Sequence, residues 1–130
     1  MPEHEDVDPL RLPDAAVVVR GGLMFPADLE TGALTHYDEF GRYALSVYSL
    51  PGRTGDEIAV LVPLPHSKIR ESTVGRLRAA GYEVVPSPGP PGHADLRVPN
   101  PPSRGDWQAL DALFDPPRPN PAARKETNGS

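Results

Sequence analysis

STVGRLRAAGYEVVPSPGPPGHADLRV, residues 72–98, is the stretch from which the fold of this chain is read. Ser72 has the side chain of a helix N-cap, and Val74 and Leu77 then fall on one side with Arg76 and Arg78 on the other. Gly81 supplies the left-handed position that commonly closes a helix. Beyond it the pattern becomes that of a strand: Tyr82 and Val84 share one face, Glu83 and Val85 the other. SPGPPG is a rigid turn, and the residues after it alternate again, with Ala94, Leu96 and Val98 inward and His93, Asp95 and Arg97 outward. A capped helix, a glycine stop and two alternating strands predict a sheet with helices packed on it.

Working outward towards the N-terminus, Thr54 and Glu57 have the spacing of a capping box. The helix they open presents Ile58, Leu61 and Val62 on one side and stops at Pro63, and the residues from there to Ile69 read as an extended connector. Residues 43–50, YALSVYSL, are rich in strand formers and end at Pro51-Gly52. Before them, Pro26 suits the first turn of a helix in which Leu29, Ala33, Tyr37 and Phe40 recur on one face. Met24 is placed to staple Leu29, and Gly41 to end the helix. AAVVVR, residues 15–20, is a β-branched run with consecutive valines, the pattern of a strand buried on both faces. Towards the C-terminus, Ser103 and Asp106 open a last helix carrying Trp107, Leu110, Leu113 and Phe114 on one face. The expected order is βαβααββα: an α+β single domain over residues 14–115, with a mixed or antiparallel sheet packed by helices.

The two ends read differently. Residues 1–13 are acidic and proline-broken, and residues 116–130 form a polar, Pro-rich tail, so both are expected to be disordered arms. The 18 prolines in 130 residues, well above the average usage of about 5%, thus serve as boundary markers. The chain has no cysteine, which excludes disulfides and thiolate metal sites. A formal net charge of −5 gives no general attraction to nucleic acid. With no secretory pattern at its start and no apolar run of membrane-spanning length, the chain is expected in the cytoplasm and off the membrane.

Chemistry has few places to sit. The outward row His93, Asp95 and Arg97, with Glu83 on the neighbouring strand, offers a histidine oriented by a carboxylate. The order helix, glycine, aromatic, strand, turn, Gly-His, strand in residues 72–98 resembles the small HicA-type toxins, messenger-RNA ribonucleases of double-stranded-RNA-binding fold. The resemblance implies His93 as the catalytic histidine, although the family's Gly-Ser-His turn reads Pro-Gly-His here. Arg20 at the end of one strand, Ser46 in the next and Glu83 later resemble the ordering of ADP-ribosyltransferases, which implies NAD binding through Arg20 and Ser46. The four histidines show no metal-site spacing, and no phosphate loop is present, so no metal or cofactor is expected. Tyr37, Phe40 and Tyr43, in HYDEFGRY, and the helix of Trp107 are candidate recognition surfaces for a partner.

These features favour an interaction module over an enzyme. The expectation is a small protein that meets a protein partner, as one member of a toxin–antitoxin-like gene pair, with no role for nucleic acid. A His93 ribonuclease and an Arg20 NAD-binding protein are the alternatives.

Overall fold

The computed structural model of the chain describes residues 11–122, which form one α+β domain of six strands and four helices. In chain order these are β1 (Val17–Gly21), α1 (Pro26–Phe40), β2 (Ala44–Tyr48), α2 (Gly55–Leu61), β3 (Lys68–Thr73), α3 (Val74–Ala79), β4 (Glu83–Pro86), β5 (His93–Arg97), α4 (Arg104–Leu113) and β6 (Arg118–Pro119). The strands make one sheet in the order β4-β5-β2-β1-β3-β6, and every neighbouring pair is antiparallel.

Side-chain alternation gives the sheet two apolar faces. Val18, Leu45, Val47, Val84, Ala94 and Leu96 meet Leu29 and Ala33 of α1, Val74 and Leu77 of α3, and Trp107 and Leu110 of α4. Val19 and Ile69 point the other way, against Ile58 and Ala59 of α2 and Leu64. The consecutive valines of β1 are therefore buried on both faces, as their pattern predicts. The strand pairing within residues 82–98 also follows the expected pattern, with Val84 opposite Leu96 and Glu83 opposite Arg97. The capping box of Thr54 with Glu57 forms, and at the start of the last helix the Asp106 carboxylate accepts from both the N–H and the hydroxyl of Ser103.

Four expectations are corrected. The connector before residue 72 is instead β3, paired with β1 from Val17↔Thr73 to Gly21↔Ile69. Its polar sequence, KIREST, concealed it, because Arg70 and Ser72 point at the end of α4 rather than at water. Arg70, only 5% exposed, donates to the carbonyls of Leu23, Asp111, Phe114 and Asp115 and to the Asp111 carboxylate. Ser72 Oγ donates to the Leu113 carbonyl, so the cap of α3 is Thr73, whose hydroxyl accepts from Arg76 N. On α2, Leu61 faces out while Ile58 and Ala59 face the sheet. The domain also runs past both expected boundaries. Leu12 is in the core, and the segment after Pro116 is docked rather than loose. There Arg118 pairs with Asp56 and Glu71, and buried Asn120 donates to the carbonyls of Leu64 and His66. The rest of the two predicted arms, residues 1–10 and 123–130, lies outside the described residues. Among the described residues no helix is long and apolar enough to cross a membrane.

Candidate functional site

In the β2–β5 pair, Ser46 stands opposite Asp95 and Tyr48 opposite His93. Because Leu45, Val47, Ala94 and Leu96 enter the main core, alternation turns Ser46, His93 and Asp95 away from it. The turn between β4 and β5 brings Ser87 over this row, its N–H donating to the His93 carbonyl at 3.1 Å. Gly89 leaves room for the imidazole, since a Cβ built there would lie 3.1 Å from His93 Cγ, and its φ of +143° disfavours a side chain in any case. Tyr48 backs the same ring edge-on at 5.4 Å. The last turns of α1 add His36 from the opposite side. Together they border a notch of about 150 Å3, whose lining includes His36, Phe40, Ser46, Ser87, His93 and Asp95.

The hydrogen bonds run in one direction. The Asp95 carboxylate can only accept, so Ser87 Oγ gives its single proton to Asp95 Oδ1 at 3.1 Å. Ser87 then accepts from His93 Nδ1 at 2.7 Å, which places the ring proton on Nδ1. His93 Nε2 is left with its lone pair facing Ser46 Oγ at 3.3 Å. On the other carboxylate oxygen, His36 Nε2 lies 3.4 Å from Asp95 Oδ2, while its Nδ1 donates to the Arg42 carbonyl at 2.7 Å. His36 Nε2 thus faces the carboxylate at ion-pair distance, and the two form an ion pair when the ring is protonated. Asp95 therefore sits between His93, reached through Ser87, and the Nε2 of His36. Compared with protein-family models, with curated proteins and with solved structures, the chain matches none.

Behind Ser46 lies Arg20. Ser49 N donates to the Gly92 carbonyl, so with alternating backbone direction the Ser46 carbonyl faces β1 rather than β5. The β1–β2 ladder holds one register pair, Val19↔Tyr48, and Arg20 Nη1 takes up the Ser46 carbonyl at 2.6 Å. Burial lowers the pKa of Arg20 from its ordinary value, and Asp28 and Tyr48 oppose that shift.

Of the residues singled out from sequence, His93, Asp95, Ser46 and Arg20 are gathered in this region. Arg97 and Glu83 are not part of it. Glu83 pairs with Arg78, and Arg97 Nε is buried with no hydrogen-bond partner among the described residues. The aromatic candidates separate. Tyr37 stacks on Tyr43 at 4.4 Å, whereas Phe40 is 68% exposed at the rim of the notch with its ring 4.7 Å from that of His36. Trp107 is 4% exposed, a core residue whose edge lines, with Tyr43 and Leu34, a groove of about 510 Å3 between α1 and α4. Tyr37 and Phe40 were expected to continue the inward face of Leu29 and Ala33. Instead the inward position at that end of α1 goes to His36, because a carboxylate waits there. His36 and Ser87 escaped the sequence reading: no spacing rule links residue 36 to residue 95, and a serine in a proline-rich turn carries no signal of its own. Among the described residues no group of three or more His, Asp or Glu is placed to hold a metal ion.

Proposed function

We propose that the notch is a general acid–base site and that the protein is a small enzyme acting by hydrolysis or transfer at an ester bond. The observation that carries this reading is the one-way chain from Ser46 through His93 and Ser87 to Asp95, which leaves His93 Nε2 an acceptor aimed at a hydroxyl. In the reaction, Nε2 takes the proton of the attacking hydroxyl and the freed oxygen bonds to the ester centre. The leaving oxygen takes a proton from His36 Nε2 in the protonated form of that ring, the form that pairs with Asp95. Asp95, reached through Ser87, stabilises the positive charge that develops on His93. Ser46 is the hydroxyl at hand, and a substrate hydroxyl or water at the same place is activated in the same way.

Nitrogen-resolved NMR of the histidines tests the chain without a substrate. His93 is expected with its proton on Nδ1, and Asp95→Asn or Ser87→Ala is expected to redistribute it. A wild-type ring protonated on Nε2 alone would overturn the assignment. For turnover of an activated ester, His93→Gln is expected to lose about 100-fold or more. Ser46→Ala separates the routes, losing all turnover if Ser46 is the nucleophile and keeping it if water is.

A second reading, a module that works by engaging a protein partner, is supported by a different observation. Phe25, Leu34, Tyr37 and Phe40 on or beside α1 are all exposed, next to the groove against α4. The partner proposed is the product of a neighbouring gene, as in a toxin–antitoxin-like pair, presenting an apolar surface to α1. Co-purification of the two products, abolished by Leu34→Glu with Tyr37→Glu and retained in His93→Gln, would establish it. Retention in the Leu34→Glu, Tyr37→Glu variant would place the partner elsewhere.

A further inference from the structure

We propose that a second cavity, the hollow beside the β4–β5 turn, receives the acyl group of the ester, an uncharged apolar chain carrying one polar atom for Ser49. The inference rests on the notch being the reactive site and adds what that site selects. Three observations converge on it. The hollow, of about 350 Å3, lies along the turn and the residues just past β2, and Ser87, Pro88 and His93 line it as well as the notch. The turn that leads into the reactive imidazole is therefore a wall of both cavities. Their chemistry differs. Glu39 and Asp95 line the notch, whereas the hollow holds Leu12, Leu50, Pro86, Pro90, Pro91 and Ala94 and no lysine, arginine or carboxylate. Such a lining gains by taking a hydrocarbon chain out of water and offers nothing to a charged one. The third observation is Ser49, which is 3% exposed and lines the hollow. Its Oγ is buried with no hydrogen-bond partner among the described residues. A buried hydroxyl without a partner is costly, and a polar atom on the ligand relieves that cost.

Shape and charge narrow the class. Ser49 N donates to the Gly92 carbonyl at 2.9 Å, and a Cβ built at Gly92 would lie 3.0 Å from Leu50 Cγ, where a φ of +85° already favours glycine. The turn is thereby pinned beside Ser49 and Leu50. At about 350 Å3 the hollow lies near the lower end of ligand pockets, roughly 300 Å3, so it takes a chain of a few carbons rather than a long lipid tail. The notch, at about 150 Å3, has room for the ester group alone. With two carboxylates on its lining it disfavours a phosphate ester, which leaves a carboxylic one.

The test, on the full chain, compares turnover of the p-nitrophenyl esters of acetate, butyrate and hexanoate. Binding of hexanamide, which is no ester, is followed beside it by the methyl NMR shifts of Leu12, Leu50 and Ala94. Hexanoate is expected to exceed acetate in kcat/KM by about 10-fold or more, because each buried methylene adds to binding. Hexanamide is expected to shift those methyls. Placing a hydroxyl on each carbon of the hexanoyl chain in turn locates the partner of Ser49. One such ester is expected to gain over plain hexanoate in the parent and to lose that gain in Ser49→Ala. Ser49→Ala removes a single unpaired atom, so the variant is expected to fold as the parent does. Equal turnover of acetate and hexanoate, or no hydroxy ester that tells Ser49→Ala from the parent, overturns the proposal. Hexanamide shifts that appear only in a Val7→Asp, Leu10→Asp variant would overturn it too, giving the hollow to the N-terminal segment. Hexanamide binding by a protein that turns over no ester would sink the acid–base reading alone. Ester turnover that ignores chain length, with no hexanamide shifts, would sink this one alone.

Discussion

Two polar clusters on this sheet use the same kinds of groups to opposite ends. Around Arg70 every donor meets an acceptor: four carbonyls and the Asp111 carboxylate take its bonds, among them the carbonyl of Asp111 in the last turn of α4 and that of Phe114 just after it, which a helix end leaves unpaired. Around Asp95 the bonding is directional and stops short, ending in an imidazole lone pair and an exposed serine at the edge of a notch. A closed cluster contributes stability and offers a ligand nothing, whereas an open one contributes little stability and keeps a reactive group free. Burial divides them, since Arg70 is sealed under α4 while the Ser46–His93 end opens to solvent.

The comparison is sharpest when each cluster is cut. Arg70→Met is expected to produce the largest effect, a loss of about 3–5 kcal/mol in urea unfolding, because four carbonyls and the Asp111 carboxylate lose their shared cation. A loss below about 1 kcal/mol would mean that the cluster is not the anchor its geometry implies. Asn120→Ala is expected to cost about 1–3 kcal/mol, since the carbonyls of Leu64 and His66 lose their donor. An unchanged midpoint there would return the C-terminal segment to the status of a loose tail.

A smaller effect is expected at Tyr82, whose phenol is pushed up to about 12 by burial and by its hydrogen bond to Asp106. The folded state then favours the neutral phenol, whereas the unfolded chain releases that proton near its ordinary value of about 10. The contribution of Tyr82 is complete below pH 10 and is lost as pH rises towards 12. Tyr82→Phe is expected to flatten stability over that window relative to the parent, and identical slopes would remove the assignment. The smallest change in stability is expected for His93→Gln, within about 0.5 kcal/mol, although the same variant is expected to lose turnover. If it unfolds the protein as Arg70→Met does, the two clusters are alike and the notch is only a brace between α1 and β5.

Much of the domain could be read locally. The capping box at Thr54, the helix start at Ser103 and Asp106, the glycine after α3 and the inward row Ala94, Leu96 and Val98 follow from spacing alone, because each involves residues a few positions apart. β3 could not be read in the same way. KIREST has few apolar residues, and its strand character comes from β1 on one side, the docked segment at Arg118 on the other, and α4 over Arg70. The candidate site was half legible. His93 and Asp95 share a strand face by the two-residue period, while Ser87 and His36 reach them across a turn and from a distant helix.

The aim of that polar row was likewise a matter for tertiary structure. By itself the sequence determined that residues 93, 95 and 97 point away from the core, because a strand turns alternate residues to opposite faces. It did not determine that His93 and Asp95 would be covered by Ser87 and His36 while Arg97 would stand apart. That depends on where α1 and the β4–β5 turn come to rest, which is set by the packing of Leu29, Ala33 and Val84 on the far side of the same sheet. Local period chooses the face of a strand, and only long-range packing chooses its neighbours.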